Sequence, residues 1–149
     1  MKKYLIILLV LFFVFTAFKT QKPAYLLFNE KGKKVKYEKM LDQLKDADIV
    51  LFGELHNNSI AHWLQLELTK DLYELKDSNL VLGAEMFESD NQLILDEYFS
   101  GLISQTRFEA EVRLWNNYKT DYKPLVEFAR ENNLRFVATN VPRRYASLV

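Results

Sequence analysis

The sequence predicts an α/β fold, with a central parallel sheet and flanking helices. Three short runs carry this expectation: Ile49 to Phe52, Leu80 to Ala84, and Arg135 to Thr139. The first two are continuous apolar stretches without alternation, as expected of strands buried on both faces. Helical patterns separate the three. Each run also ends in residues that carry chemistry, and ligands in open α/β sheets bind outside the carboxyl ends of the strands.

The elements follow in chain order. Met1-Lys2-Lys3 precedes an apolar stretch from Tyr4 to Phe18 that only Thr16 interrupts. A basic start followed by an apolar run is the pattern of a secretory signal. The run is short for a spanning helix, which needs about 20 apolar residues. Residues 1–22 are therefore read as a signal peptide or an uncleaved N-terminal anchor, and 23–149 as the domain. The expected location is exported, periplasmic or membrane-associated, with the membrane reached only through the N-terminal segment. There is no cysteine, which excludes disulfides, zinc–thiolate sites and a lipid-modified N-terminal cysteine. The formal net charge is +0, so nothing indicates the basic stripe of a nucleic-acid binder.

Tyr25 to Phe28 reads as a short strand and Asn29 to Gly32 as a turn. A short amphipathic helix follows, with Met40, Leu41 and Leu44 on one face. After the run ending at Gly53, Ser59 is placed to cap a helix whose apolar stripe is Ile60, Leu64, Leu68, Leu72 and Leu75. With Leu80 to Ala84 this makes a βαβ unit, expected to be right-handed. Gln92 to Phe99 reads as a helix stopping at Gly101. Phe108 to Trp115 reads as another. Pro124 suits a first helical turn, and Asn132-Asn133 end that helix. Three strands with so much helix make an unfinished architecture, expected of the N-terminal portion of a longer domain or of a truncated gene product.

The strand ends read Gly53-Glu54-Leu55-His56-Asn57-Asn58, Gly83-Ala84-Glu85-Met86-Phe87-Glu88, and Thr139-Asn140-Val141-Pro142-Arg143-Arg144-Tyr145. Glu54, His56, Glu85 and Glu88 are expected to converge on one crevice, closed on a third side by the basic residues and Tyr145. Carboxylates beside an imidazole raise its pKa, and burial raises that of a carboxylate. Such a set can supply an acid and a base near neutral pH. As nitrogen and oxygen donors, His56, Glu54 and Glu85 also form a candidate divalent-metal site. A helix-capping network is the bland alternative. His62, inside a helix, is read as a partly buried packing residue.

Four motifs in order carry a resemblance. They are Asp48 to Asn58; Glu85-Met86-Phe87-Glu88 with Gln92; Trp115, Tyr118, Tyr122 and Pro124; and Ala138 to Tyr145. Together, over nearly all of the chain after Lys22, they resemble the ChaN-like family of haem-binding uptake proteins. That family, often described as iron-regulated lipoproteins, belongs to a superfamily with the Tiki/TraB proteins and erythromycin esterases. The resemblance implies an α/β fold, haem as cofactor, an exported location and a role in iron uptake. Its enzyme relatives imply an active or metal site at Gly53, Glu54, His56, Glu85 and Glu88. Haem iron accepts tyrosine phenolate as well as histidine, so Tyr118, Tyr122 and Tyr145 are candidate ligands. Arg143 and Arg144 are candidates for the propionates. The expected partners are haem and a second copy of the chain in a homodimer. The chain lacks the family's lipoprotein cysteine and stops at about half its usual domain. Haem binding is the leading expectation over catalysis; the competing one is a hydrolase, metal-dependent or esterase-like, using His56 with Glu54 and Glu85.

Overall fold

The computed structural model describes residues 22–76 and 79–148. The expected export segment lies outside them, apart from Lys22. Among the described residues no helix is long and apolar enough to cross a membrane. The chain divides into a small unit ending at Lys34 and a main unit beginning at Val35.

A hairpin comes first, pairing β1 (Leu27–Phe28) with β2 (Lys34–Val35). Its turn is built by Asn29, whose side-chain oxygen accepts from the backbone N–H of Lys31 and of Lys33. Gly32 supplies the positive φ, 69°, that the turn requires.

The main unit runs α1 (Tyr37–Leu44), α2 (Ser59–Lys76), β3 (Val81–Glu88), α3 (Gln92–Phe99), α4 (Gln105–Glu111), α5 (Lys123–Glu131) and β4 (Arg135–Asn140). A five-residue π-helical turn, Tyr118–Tyr122, leads into α5, and a 3₁₀ stretch, Arg143–Leu148, follows β4. β3 and β4 pair in parallel, from Val81 opposite Arg135 to Ala84 opposite Ala138. Helix α3 keeps its expected bounds, and Gly101 follows it at φ 76°. Asn133, at φ 54°, closes the turn after α5.

Several expectations change. Ile49 to Phe52 forms no assigned strand, because a strand needs a ladder and among the described residues this run pairs with neither the β1–β2 hairpin nor the β3–β4 sheet. Nor is it buried on both faces: Ile49 is 78% and Leu51 92% exposed, while Val50 and Phe52 turn inward. The second strand is longer than expected and contains Glu85 and Glu88. The cap of α2 is Asn58 rather than Ser59; its side-chain oxygen accepts from the N–H of Ile60 and of Ala61, each at 3.1 Å. Leu64, Leu68 and Leu72 are buried, whereas Ile60 and Leu75 at the ends of the stripe are exposed. Helix α4 ends at Glu111, so Trp115 lies beyond it.

Alternation divides the sheet into two faces. Leu82, Ala84, Phe136 and Ala138 turn toward the helices, while Val81, Gly83, Glu85 and Thr139 face outward. The pairing then slips: Ala84 is opposite Ala138, but Glu88 is opposite Asn140. Four residues of β3 therefore match two of β4. Such a bulge bends the strand and re-aims its side chains. Met86, Phe87 and Glu88 are buried in succession as a result. Phe87 packs edge-on against Phe108 and Phe136, and Tyr98 stacks on Phe108 at 4.5 Å.

Candidate functional site

The loop after Gly53 is held from three directions. Asn58 caps α2 and fixes where the loop ends. The His56 carbonyl lies 3.1 Å from His62 Nε2 and accepts from Asn117 Nδ2 at 2.6 Å. Asn117 also donates to Asp121, whose other oxygen accepts from Ser59 Oγ at 3.4 Å. The π-helical turn and the first turn of α2 thus clamp the loop between them.

Glu54 lies at the centre. Its side chain is 11% exposed. Tyr122 donates its hydroxyl to Glu54 Oε1 at 2.5 Å, and His56 Nδ1 is 3.3 Å from the same oxygen. Glu54 Oε2 lies 2.9 Å from His62 Nδ1, but the two are poorly aligned, and neither atom has a hydrogen-bond partner among the described residues. The contact is an ion pair only when His62 carries its second proton. Burial, and then the bond to Glu54, push the Tyr122 hydroxyl well above the ordinary tyrosine range. It stays a neutral donor at physiological pH.

His56 reaches outward. Its side chain is 54% exposed, with Nε2 3.8 Å from Glu85 Oε1 and the ring edge-on to Trp115 at 4.6 Å. Glu85 is exposed, with its backbone carbonyl held by Asn140 Nδ2. Imidazole and two carboxylates are therefore brought together, one carboxylate buried and one in solvent. The contacts are pairwise: among the described residues no group of three His, Cys, Asp or Glu is arranged to hold a metal ion.

Glu88 departs from this set, because the bulge turns it the other way. Its carboxylate accepts from Arg113 at 2.9 Å and from the backbone N–H of Arg143 at 2.7 Å. These two bonds, the Arg113 one foremost, hold Glu88 below the usual carboxylate range. Burial pushes Asp90 up, but Arg144 and Arg113 outweigh it. Arg143, Arg144 and Tyr145 thus gather around Glu88 and Asp90 and do not close the Glu54 crevice. The Arg144 guanidinium lies 4.8 Å from the Tyr145 ring centre.

The tyrosines also separate. Tyr122 belongs to the Glu54 cluster and Tyr145 is exposed, but Tyr118 is a core residue, fully buried near Phe108. Its hydroxyl, raised by burial, faces no exposed surface. His62, expected only to pack, is a member of the site: its side chain is 2% exposed and its ring is edge-on to Tyr122 at 4.5 Å. Asn117, Asp121 and Arg113 were not legible as participants. For His62 one signal exists in the sequence, since a cap at Asn58 places it one turn into α2, beside the loop.

A family model described as haem-binding uptake, Tiki superfamily, ChaN matches residues 40–149. Among solved structures, one described as cofacial heme binding to ChaN of Campylobacter jejuni superimposes with a TM-score of 0.66 at 23% sequence identity. The match covers 85% of this chain and 52% of that one, so the chain spans about half the length of this structural relative. A search of curated proteins finds no match.

Proposed function

The chain belongs to the family described as haem-binding uptake, Tiki superfamily, ChaN, and from that premise we propose that it binds haem as an exported component of iron uptake. The family match over residues 40–149 carries the reading. The donor set is chemically suited to haem, whose iron takes imidazole nitrogen or phenolate oxygen. Among the candidates, His56 and Tyr145 present their rings to solvent, whereas Tyr122 is committed to Glu54 and Tyr118 is buried. Haem bound through iron supplies redox and ligand-exchange chemistry; this chain's part is to hold and orient it. Arg143 and Arg144, exposed beyond their acidic partners, are suited to propionates.

Haem titration followed by Soret absorbance tests the reading. A saturable shift that weakens in His56→Ala or Tyr145→Phe supports it, and the absence of any saturable shift rejects it. Sedimentation with and without haem tests the homodimer. Export rests on the apolar N-terminal run; replacing Leu8 and Leu9 with aspartate is expected to retain the protein in the cytoplasm, measured by cell fractionation.

A second reading, hydrolysis by His56 with Glu54 and Glu85, is favoured by the placement of His56 between two carboxylates. Ester turnover that disappears in His56→Ala and persists without haem supports it.

A further inference from the structure

The two nitrogens of the His56 ring face different carboxylates. Nδ1 lies 3.3 Å from Glu54 Oε1, within hydrogen-bond reach. Nε2 lies 3.8 Å from Glu85 Oε1, beyond it. The two carboxylates also differ in setting: the Glu54 side chain is 11% exposed and the Glu85 side chain 70%. Glu54 Oε1 is tethered as well by the Tyr122 hydroxyl at 2.5 Å, so one oxygen holds both rings. Trp115 packs edge-on against the imidazole at 4.6 Å and against Tyr122 at 5.5 Å, which resists flipping of the His56 ring.

A neutral imidazole has one N–H and one lone pair, and the hydrogen bond at one nitrogen decides which is which. Only Nδ1 has an acceptor in reach. A proton on Nε2 instead would set the Nδ1 lone pair against the Glu54 carboxylate. We infer that Glu54 fixes neutral His56 as its Nδ1–H tautomer and so leaves Nε2 as the ring atom that takes a ligand. Glu54 is then a positioning residue, acting through the ring. A carboxylate behind a ligating histidine orients the ring and raises its basicity. Nε2 as the donor to haem iron rests on the haem reading; the tautomer does not.

The tautomer is therefore read without haem. Proton–nitrogen correlation NMR of the full chain, isotope-labelled at the histidine ring nitrogens, separates a protonated nitrogen from one with a lone pair. His56→Gln identifies which signals belong to His56 and which to His62. With the ring neutral, His56 is expected to be protonated at Nδ1 and bare at Nε2. Glu54→Gln keeps a carbonyl acceptor and should keep that pattern. Glu54→Leu combined with Tyr122→Phe removes the acceptor and the buried hydroxyl together, and should lose it. Haem affinity, followed by Soret absorbance, should fall about ten-fold in that double variant, the lower end of what loss of such a partner costs. It should hold in Glu54→Gln. A parent ring protonated at Nε2 overturns the inference, whether or not any variant folds. An Nδ1–H pattern that survives in the folded double variant also overturns it. So does loss of the pattern with haem affinity unchanged, because His56 Nε2 is then not the ligating atom. An Nδ1–H parent that takes up no haem upholds the tautomer and rejects the haem reading alone.

Discussion

Substitution at Glu54 and at His56 separates two roles within one loop. Glu54→Ala strips the acceptor from a buried hydroxyl, that of Tyr122, and is expected to cost about 1–3 kcal/mol in urea unfolding. Tyr122→Phe removes the donor at the same time as its need and, combined with Glu54→Leu, should recover part of that loss. His56→Ala removes a half-exposed ring and should change stability by less than about 1 kcal/mol, while weakening haem binding. Equal destabilisation by both alanine variants would mean that His56 is structural. The Gly-Glu-x-His run was legible because an apolar strand signal ends at Gly53 and polar residues begin at once. His62 was not, because a histidine inside a helix carries no local mark of the carboxylate that packs against it. The same holds for Asn117, whose partner is a backbone carbonyl 61 residues away.

At the scale of elements, the far edge of β4 shows how a side chain does the work of a strand. The Gln92 side chain donates to the Phe136 carbonyl at 3.0 Å and accepts from the Ala138 N–H at 2.7 Å. These are the bonds that one residue of a neighbouring strand would make. A bare edge is a template for pairing with other chains, and this amide covers the middle of it. The β4 edge is thus blocked at these two residues. Gln92→Leu leaves both backbone groups without that partner and should speed aggregation, followed by light scattering at matched concentration. Gln92→Glu keeps an acceptor for Ala138 but sets a second oxygen against the Phe136 carbonyl, and should fall between the two. If Gln92→Leu aggregates no faster than the parent, the amide is not a guard. Helix α3 itself was readable from its apolar spacing and from Gly101. The cap of α2 was off by one because Asn58 and Ser59 are both good caps, and the apolar stripe does not resolve a shift of one residue. The bulge in β3 was unreadable: Met86-Phe87-Glu88 has no pattern that announces two extra residues in a ladder.

Over the whole main unit, the helices cover one face of the sheet and leave Ile49, Leu51 and Val81 exposed among the described residues. Parallel sheets are ordinarily covered on both faces, and the chain spans about half of its structural relative. The apolar run Ile49 to Phe52 was legible as strand-like from composition, but composition does not reveal that Ile49 and Leu51 stand exposed. Leu51→Lys is expected to raise the soluble fraction without lowering Tm; a lower Tm would mean that Leu51 is packed in solution. The other long-range device is the Glu88 network, which ties the segment after β4 back to β3. The folded state holds Glu88 below the usual carboxylate range, so the unfolded chain takes up its proton first as pH falls. The stabilisation is present above the ordinary pKa of 4.5 and is lost as pH falls through the lower folded value. Tm measured from pH 6 to pH 3 should drop more steeply in the parent than in Glu88→Gln, and parallel curves would reject the linkage.

The His56 carbonyl, fixed by Asn117 and approached by His62 Nε2, makes that residue a pivot. Its backbone is anchored while its ring stands in solvent. A ligand that takes the imidazole has two side-chain torsions to freeze and no loop to order. Side-chain immobilisation costs roughly 0.5–1.5 kcal/mol on association, whereas fixing one backbone residue costs about 1–2 kcal/mol, and a loop has several. Asn117→Ala should therefore act as an entropic lesion. Ligand affinity at His56 falls although no contact to the ligand is lost, and calorimetry places the deficit in the entropy of binding.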